Sequence, residues 1–147
     1  MKIKSMIIMG LLVLTLLSVS TIYADTVNIG DSTFSMPEGY TLVEKDNQLV
    51  MYNDTVAMTI YEGPILDPSE AKQKRVNMGY ELIGERNYTY ANADINQQNY
   101  YLEGVYSCVY TLEKNNKTYI ITLNVDEGNP IPEYDDNPVT EIIYSLK

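Results

Sequence analysis

The sequence predicts one α+β domain in which an antiparallel β-sheet is packed against a middle helix and a C-terminal helix. Short β-branched and aromatic runs alternate with turn-forming pairs through most of the chain, whereas two segments repeat apolar residues at helical spacing. The length of 147 residues suits one domain. A sheet with one apolar face covered by helices is the compact arrangement for this order of elements.

The first half of the chain predicts a series of hairpins. Residues 27–36 form a bent strand or tight hairpin around Gly30-Asp31, and residues 41–45, 48–52 and 55–61 form three further strands. The pairs Asp46-Asn47 and Asn53-Asp54 separate these strands, and both residue types tolerate left-handed backbone. A turn at Asn53-Asp54 pairs Met51 with Val56 and Leu49 with Met58, which places apolar side chains on one face.

Two helices are predicted from their starting signals and their apolar stripes. Asp67 can cap a helix that has Pro68 at its first position and Gly84 as its end. The stripe expected on this middle helix is Ala71, Val76, Tyr80 and Ile83. Pro138 opens the last helix, whose stripe has the spacing i, i+3, i+4 and i+7: Val139, Ile142, Ile143 and Leu146.

The clearest predicted element is a hairpin of residues 106–114 and 117–125 around Asn115-Asn116, which follows predicted strands at 87–92 and 98–103. The expected pairs are Leu112 with Tyr119, Tyr110 with Ile121, Cys108 with Leu123, and Tyr106 with Val125. These larger apolar residues share one face. Cys108 is therefore predicted to be buried and without a catalytic role.

The order of elements is similar to that of a known fold family. Residues 34–40 read Phe-Ser-Met-Pro-Glu-Gly-Tyr at the end of the entry strand, and residues 142–146 close the last helix. With the hairpins and middle helix between them, the chain resembles the Mog1/PsbP-like α/β/α sandwich over most of residues 27–147. The resemblance implies an accessory or binding protein, and it carries over no site residue because no functional motif matches.

Residues 1–24 predict a signal peptide. Lys2 and Lys4 precede an apolar run at 6–17, which has the length of a signal-peptide core. Cleavage near Ala24 is expected, with cleavage after Ser20 as the alternative, and residues 25–147 are then the exported domain. An uncleaved N-terminal anchor is the other interpretation, because weaker apolar character continues to Tyr23. Both place the domain outside the cytoplasmic membrane, either secreted or in the cell envelope.

Composition excludes several classes of function. The formal net charge is −10, and it becomes −12 when residues 1–24, with their two lysines, are removed. Nucleic acid is not an expected partner, because neutralising phosphates requires clustered Lys and Arg. The chain has no His and one Cys, which excludes His-based catalysis, His-ligated metals and intramolecular disulfides.

Carboxylate pairs are the remaining acid/base groups. A dense acidic segment suggests a glycosidase or a Ca²⁺ site, and it contains Asp126, Glu127, Glu133, Asp135 and Asp136. No calcium-loop ligand pattern is present, so a solvated loop is the preferred interpretation, and no metal or cofactor is predicted. Ser69 and Ser107 have no activating His or Ser-x-x-Lys partner, which argues against a nucleophilic serine.

Tyrosine is the unusual residue type, with 14 Tyr against one Phe and no Trp. Tyr88, Tyr90 and Tyr101 are the candidate surface for a protein or glycan partner, because tyrosine combines a flat apolar ring with a hydroxyl group. The alternative is a core that uses Tyr in place of Phe. Three Asn-x-Thr sequons are candidate glycosylation sites: Asn53, Asn87 and Asn116.

Three functions from different classes remain open. The leading hypothesis is an exported, acidic, non-catalytic binding or accessory module of the cell envelope or extracellular space. A carboxylate-dependent hydrolase is the alternative from the enzyme class. The third is a structural envelope protein with no small-molecule site. A pocket with two converging carboxylates indicates an enzyme, whereas an exposed apolar patch indicates a binder.

Overall fold

The computed structural model describes residues 26–45, 48–129 and 137–147. The predicted signal peptide, the predicted turn at Asp46-Asn47 and the acidic residues Glu133, Asp135 and Asp136 lie outside the described residues. The described elements are β1 (Thr26–Ile29), β2 (Ser32–Ser35), β3 (Thr41–Lys45), β4 (Gln48–Tyr52), β5 (Val56–Glu62), α1 (Pro68–Asn77), β6 (Glu81–Tyr90), β7 (Ala93–Leu102), β8 (Val105–Lys114), β9 (Lys117–Asp126) and α2 (Pro138–Ser145).

The fold is α+β and its sheets are antiparallel, as predicted. Seven strands form the main sheet in the order β3-β4-β5-β9-β8-β7-β6, and β1 and β2 form a separate hairpin. β9 lies between β5 and β8, so it joins the group β3, β4 and β5 to the group β6, β7 and β8. In the described part of the chain, no helix is long and apolar enough to cross a membrane.

One face of the main sheet forms the core together with the β1–β2 hairpin and α2. Apolar residues from all three are almost fully buried: Phe34 from the hairpin, Met51, Met58, Ile121 and Leu123 from the sheet, and Ile142 and Ile143 from α2. Burying a side chain of this kind contributes roughly 1.5–3 kcal/mol. The apolar stripe predicted for the last helix is confirmed, because all four of its residues are buried.

The β8–β9 hairpin has the predicted register at all four pairs, from Tyr106 opposite Val125 to Leu112 opposite Tyr119. Asn115 and Asn116 both have left-handed backbone, with φ of 55° and 60°. A two-residue turn of this kind matches the twist of the flanking strands and therefore fixes their alignment. Cys108 is 3% exposed, which confirms its predicted burial.

The predicted register of the β4–β5 hairpin is wrong, because each β4 residue lies opposite the β5 residue two positions after the predicted one. Met51 lies opposite Met58 rather than Val56, and Leu49 lies opposite Ile60 rather than Met58. The cause is Asn53, whose side-chain oxygen accepts bonds from the main-chain N–H groups of Thr55 and Val56, both at 2.9 Å. The turn is therefore centred one residue later, and the apolar residues keep their face.

The middle helix begins where predicted but is shorter than predicted. Asp67 caps it, but it ends at Asn77, because Gly79 takes a left-handed φ of 96°. Tyr80 and Ile83 are therefore outside the helix, and Ile83 belongs to β6. No residue of α1 is buried, so the predicted apolar stripe does not form.

α1 lies on the sheet face opposite to α2. Gln98 Nε2 donates to the main-chain oxygen of Pro68 at 3.0 Å, and the Arg75 guanidinium lies 5.6 Å from the ring centre of Tyr100. Gln98 and Tyr100 alternate along β7 with the residues that face the core, such as Ile95. Each face of the main sheet thus has one helix.

Candidate binding groove

The three tyrosines singled out from the sequence lie on the core-facing side of β6 and β7, but their environments differ. Tyr88 is partly buried against the core, and its hydroxyl donates to Gln97 Oε1 at 3.1 Å. The Arg86 guanidinium lies 4.1 Å from the centre of its ring. This ring is therefore engaged by contacts within the protein.

Tyr101 is also engaged within the protein. Its hydroxyl donates to Glu127 Oε2 at 3.0 Å, and its ring centre lies 5.2 Å from that of Tyr106. The hydrogen bond to the Glu127 carboxylate raises the pKa of Tyr101, because it stabilises the protonated phenol. Glu127, one of the residues considered for acid/base chemistry, thus serves as the acceptor for Tyr101.

Tyr90 differs, because it lies at the end of β6 and its side chain is 38% exposed. It lines a groove of about 890 Å³ between the β1–β2 hairpin and α2, which we call the Tyr90–Tyr144 groove. The other residues that line it are Thr26, Thr33, Phe34 and Ser35 from the hairpin, Thr140, Glu141, Tyr144 and Ser145 from α2, and Lys147.

Tyr144 is the most exposed large apolar side chain among the described residues, at 72%. It belongs to α2 but lies off the apolar stripe that packs on the sheet. Sequence reasoning missed it, although an aromatic residue outside the buried stripe of a strongly amphipathic helix is a signal of a surface role. The structure brings Tyr90 and Tyr144, which are 54 positions apart in the sequence, to the same groove.

The walls of the groove are tied together by main-chain hydrogen bonds. Thr33 and Lys147 exchange two bonds, of 3.1 and 2.9 Å. The N–H of Ser35 donates to Ser145 Oγ at 2.9 Å. At the start of α2, the side chain of Asn137 accepts from the N–H groups of Val139 and Thr140, which caps the helix. The groove is therefore built on fixed elements, and binding there requires little ordering of the protein.

A second groove, of about 480 Å³, has acidic character and lies elsewhere. Its lining includes Asp94 and Glu113, which are directly opposite each other on β7 and β8. We call it the Asp94–Glu113 groove. Both residues are exposed, and Asp94 Oδ1 accepts a bond from Thr89 Oγ1 at 3.0 Å. This is a pair of neighbouring carboxylates beside a concave surface, as the hydrolase hypothesis requires.

A buried polar cluster contains a serine that sequence reasoning did not single out. Ser32 Oγ lies 2.7 Å from the Tyr119 hydroxyl, and Lys117 Nζ donates to it at 3.0 Å. Hydroxyl and ammonium groups at these distances occur in activated nucleophiles. However, Ser32 is 3% exposed and Tyr119 is 1% exposed, so a substrate has no access. The cluster joins the β1–β2 hairpin to β9.

The three sequons lie in different surroundings. Asn116 is exposed at the tip of the β8–β9 hairpin. Asn87 is exposed on β6, and its side-chain oxygen accepts from Asn96 Nδ2 at 2.9 Å. Asn53 is half-buried and organises the β4–β5 turn. Asn116 is thus the sequon that a modifying enzyme reaches with the least disturbance of structure, and glycosylation stays a prediction.

Within the described ranges, no group of three or more Asp, Glu, Cys or His side chains is arranged to hold a metal ion. Burial raises the pKa of the Cys108 thiol to about 11, which keeps it protonated at neutral pH. A comparison with protein-family models finds none that matches this chain, and a comparison with curated proteins also finds no match. The groove geometry therefore carries the argument about function.

Proposed function

We propose that this protein is a non-catalytic binding or accessory module that acts outside the cytoplasmic membrane and takes its ligand in the Tyr90–Tyr144 groove. The predicted signal peptide supports the location. The resemblance to Mog1/PsbP-like sandwiches supports the accessory role, and a sheet with one helix on each face is consistent with that resemblance.

The observation that carries the proposal is the pair of exposed rings on one groove. Tyr90 comes from the sheet and Tyr144 from the last helix, and both keep a large part of their surface in solvent. Exposed aromatic side chains beside a concave, preformed surface are typical of binding sites. Such rings dominate binding energies, because they provide a large contact area at a low entropic cost.

The hydrolase alternative has its best geometry in the Asp94–Glu113 groove. A carboxyl group that acts as a general acid at neutral pH is normally held in a partly desolvated site. Asp94 and Glu113 are both exposed on the sheet surface, so this condition is not met. Binding is therefore the better supported function. A purely structural role does not explain why Tyr90 and Tyr144 are both exposed on one groove.

Capture of ligand from the native envelope fraction tests the proposal. Tyr90→Ser and Tyr144→Ser each remove one ring from the groove, and Met78→Ser removes an exposed apolar side chain outside it. We expect both tyrosine variants to lose capture, by about tenfold or more in affinity, while Met78→Ser keeps it. Equal capture by all proteins contradicts the proposal. So does hydrolysis of a glycan or peptide that disappears in Asp94→Asn or Glu113→Gln.

A further inference from the structure

We infer that the ligand of the Tyr90–Tyr144 groove is an uncharged oligosaccharide, an inference that rests on the proposed function. Three features of the groove lead to this class of ligand: its main-chain groups, its charge and the chemistry of its side chains. The first argues against an extended peptide, the second argues against a charged ligand, and the third matches the surface of a sugar.

The main-chain groups of β2 beside α2 are already bonded within the protein. Thr33 exchanges both of its main-chain bonds with Lys147, and the N–H of Ser35 is taken by Ser145 Oγ. A peptide that binds as an added strand needs a free strand edge, because main-chain hydrogen bonds supply much of its affinity. This edge of the groove offers none at these positions, so a ligand that lies along β2 is recognised there through side chains.

The charged side chains of the groove are balanced in sign, in contrast with those of the rest of the protein. Glu141 and Lys147 are the charged residues that line it, one of each sign. The whole chain has a formal net charge of −10, and the Asp94–Glu113 groove presents two carboxylates. A cationic ligand has stronger attraction elsewhere on this surface, and an anionic ligand is repelled by the molecule as a whole. A neutral ligand is neither attracted to other acidic surfaces nor repelled by the net charge of the protein.

The side chains that remain match the surface of a sugar. Tyr90 and Tyr144 both line the groove, and a tyrosine ring has a flat apolar face that stacks on the C–H face of a pyranose ring and a hydroxyl group that bonds a sugar hydroxyl. Thr26 and Ser35 add hydroxyl groups, and Glu141 adds an acceptor for the hydroxyl groups of a sugar. The groove volume of about 890 Å³ lies at the upper end of the range for small-molecule sites, which suits several sugar units.

Calorimetric titration with neutral tetrasaccharides tests the inference. The probes are the β-1,4-linked tetramers of glucose and of N-acetylglucosamine and the α-1,6-linked tetramer of mannose, and a pool of random decapeptides is tested in parallel. We expect at least one tetrasaccharide to bind, and its affinity to fall about tenfold or more in Tyr90→Ser and in Tyr144→Ser. Met78→Ser serves as the control and keeps the wild-type affinity.

The outcomes separate the ligand class from the binding function. If no tetrasaccharide binds, or if binding is the same in the tyrosine variants, the oligosaccharide inference is wrong. If the decapeptides bind instead and that binding requires Tyr90 and Tyr144, the groove is a binding site for a different class of ligand, and only the proposed function stands. If neither probe binds at the groove and capture from the envelope fraction is also independent of the two tyrosines, both proposals are overturned.

Discussion

The ammonium group of Lys114 lies 2.7 Å from the main-chain oxygen of Ile143, at the C-terminal end of the helix that carries Tyr144. It also contacts the oxygen of Tyr144 at 3.4 Å. Lys114 is 7% exposed, and desolvation lowers its pKa. A buried cation at this position compensates the unpaired carbonyl groups of the helix end, and it holds one wall of the groove against the β8–β9 hairpin.

Replacing Lys114 with Met should destabilise the protein by about 1.5–3 kcal/mol, the usual worth of hydrogen bonds to a charged group. The carbonyl groups of Ile143 and Tyr144 lose their donor, although Met keeps most of the apolar stem. Urea unfolding measures the change. Lys74→Met, on the exposed surface of α1, is the control and should change stability little. Equal stability of both variants would show that Lys114 does not anchor α2.

Cys108 should make the protein less stable as the pH rises from 9 to about 11. Burial raises the pKa of its thiol from 9.0 to about 11, so the unfolded chain loses this proton first. The contribution of the Cys108 thiol to the free energy of unfolding is complete below pH 9. Through this window it falls by up to about 1.4 kcal/mol per pH unit. Unfolding of wild type and Cys108→Ala across the window measures it, and the variant should show the shallower decline. Parallel curves would contradict the assignment.

Gly30→Ala should destabilise the β1–β2 hairpin. Gly30 has a φ of 55°, and a Cβ there would lie 2.7 Å from Glu62 Oε1. The left-handed backbone costs a non-glycine residue about 1–2 kcal/mol, and displacement of the Glu62 carboxylate adds to this. Gly39→Ala is the matched control, because Gly39 also has a positive φ but has no atoms within 4 Å of the added methyl group. Thermal unfolding measures both variants. If Gly39→Ala lowers stability as much as Gly30→Ala does, the contact with Glu62 makes no contribution to the loss.

The sequence predicts elements well where a local signal decides them. Asn115 and Asn116 determine the turn of the β8–β9 hairpin, and the register of both strands follows from that turn. The sequence is ambiguous where two local signals compete. Gly79 and Gly84 both offer a helix end, and the apolar residues between them have helical spacing although they begin a strand. At Asn53, side-chain hydrogen bonds within the turn set a register of β4 and β5 that differs from the predicted one. The alternation of apolar and polar residues does not reveal these bonds.

The groove itself depends on tertiary packing. Its walls come from residues 26–35, from Tyr90 and from residues 140–147, and only the assembled core brings these segments together. The sequence identified Tyr90 as a candidate, but it gave the same weight to Tyr88 and Tyr101. Hydrogen bonds to Gln97 and Glu127 distinguish those two from Tyr90, and these bonds join residues that are 9 and 26 positions apart.

Hydroxyl-radical footprinting of the protein, alone and with its captured ligand, tests the groove most directly. Tyr90, Tyr144 and Met78 are all exposed in the free protein, and Met78 lies outside the groove. The account predicts that the bound ligand slows oxidation of Tyr90 and Tyr144 together and leaves oxidation of Met78 unchanged. Unchanged oxidation of both tyrosines in the complex would contradict it, because the ligand would then lie on another surface of the molecule.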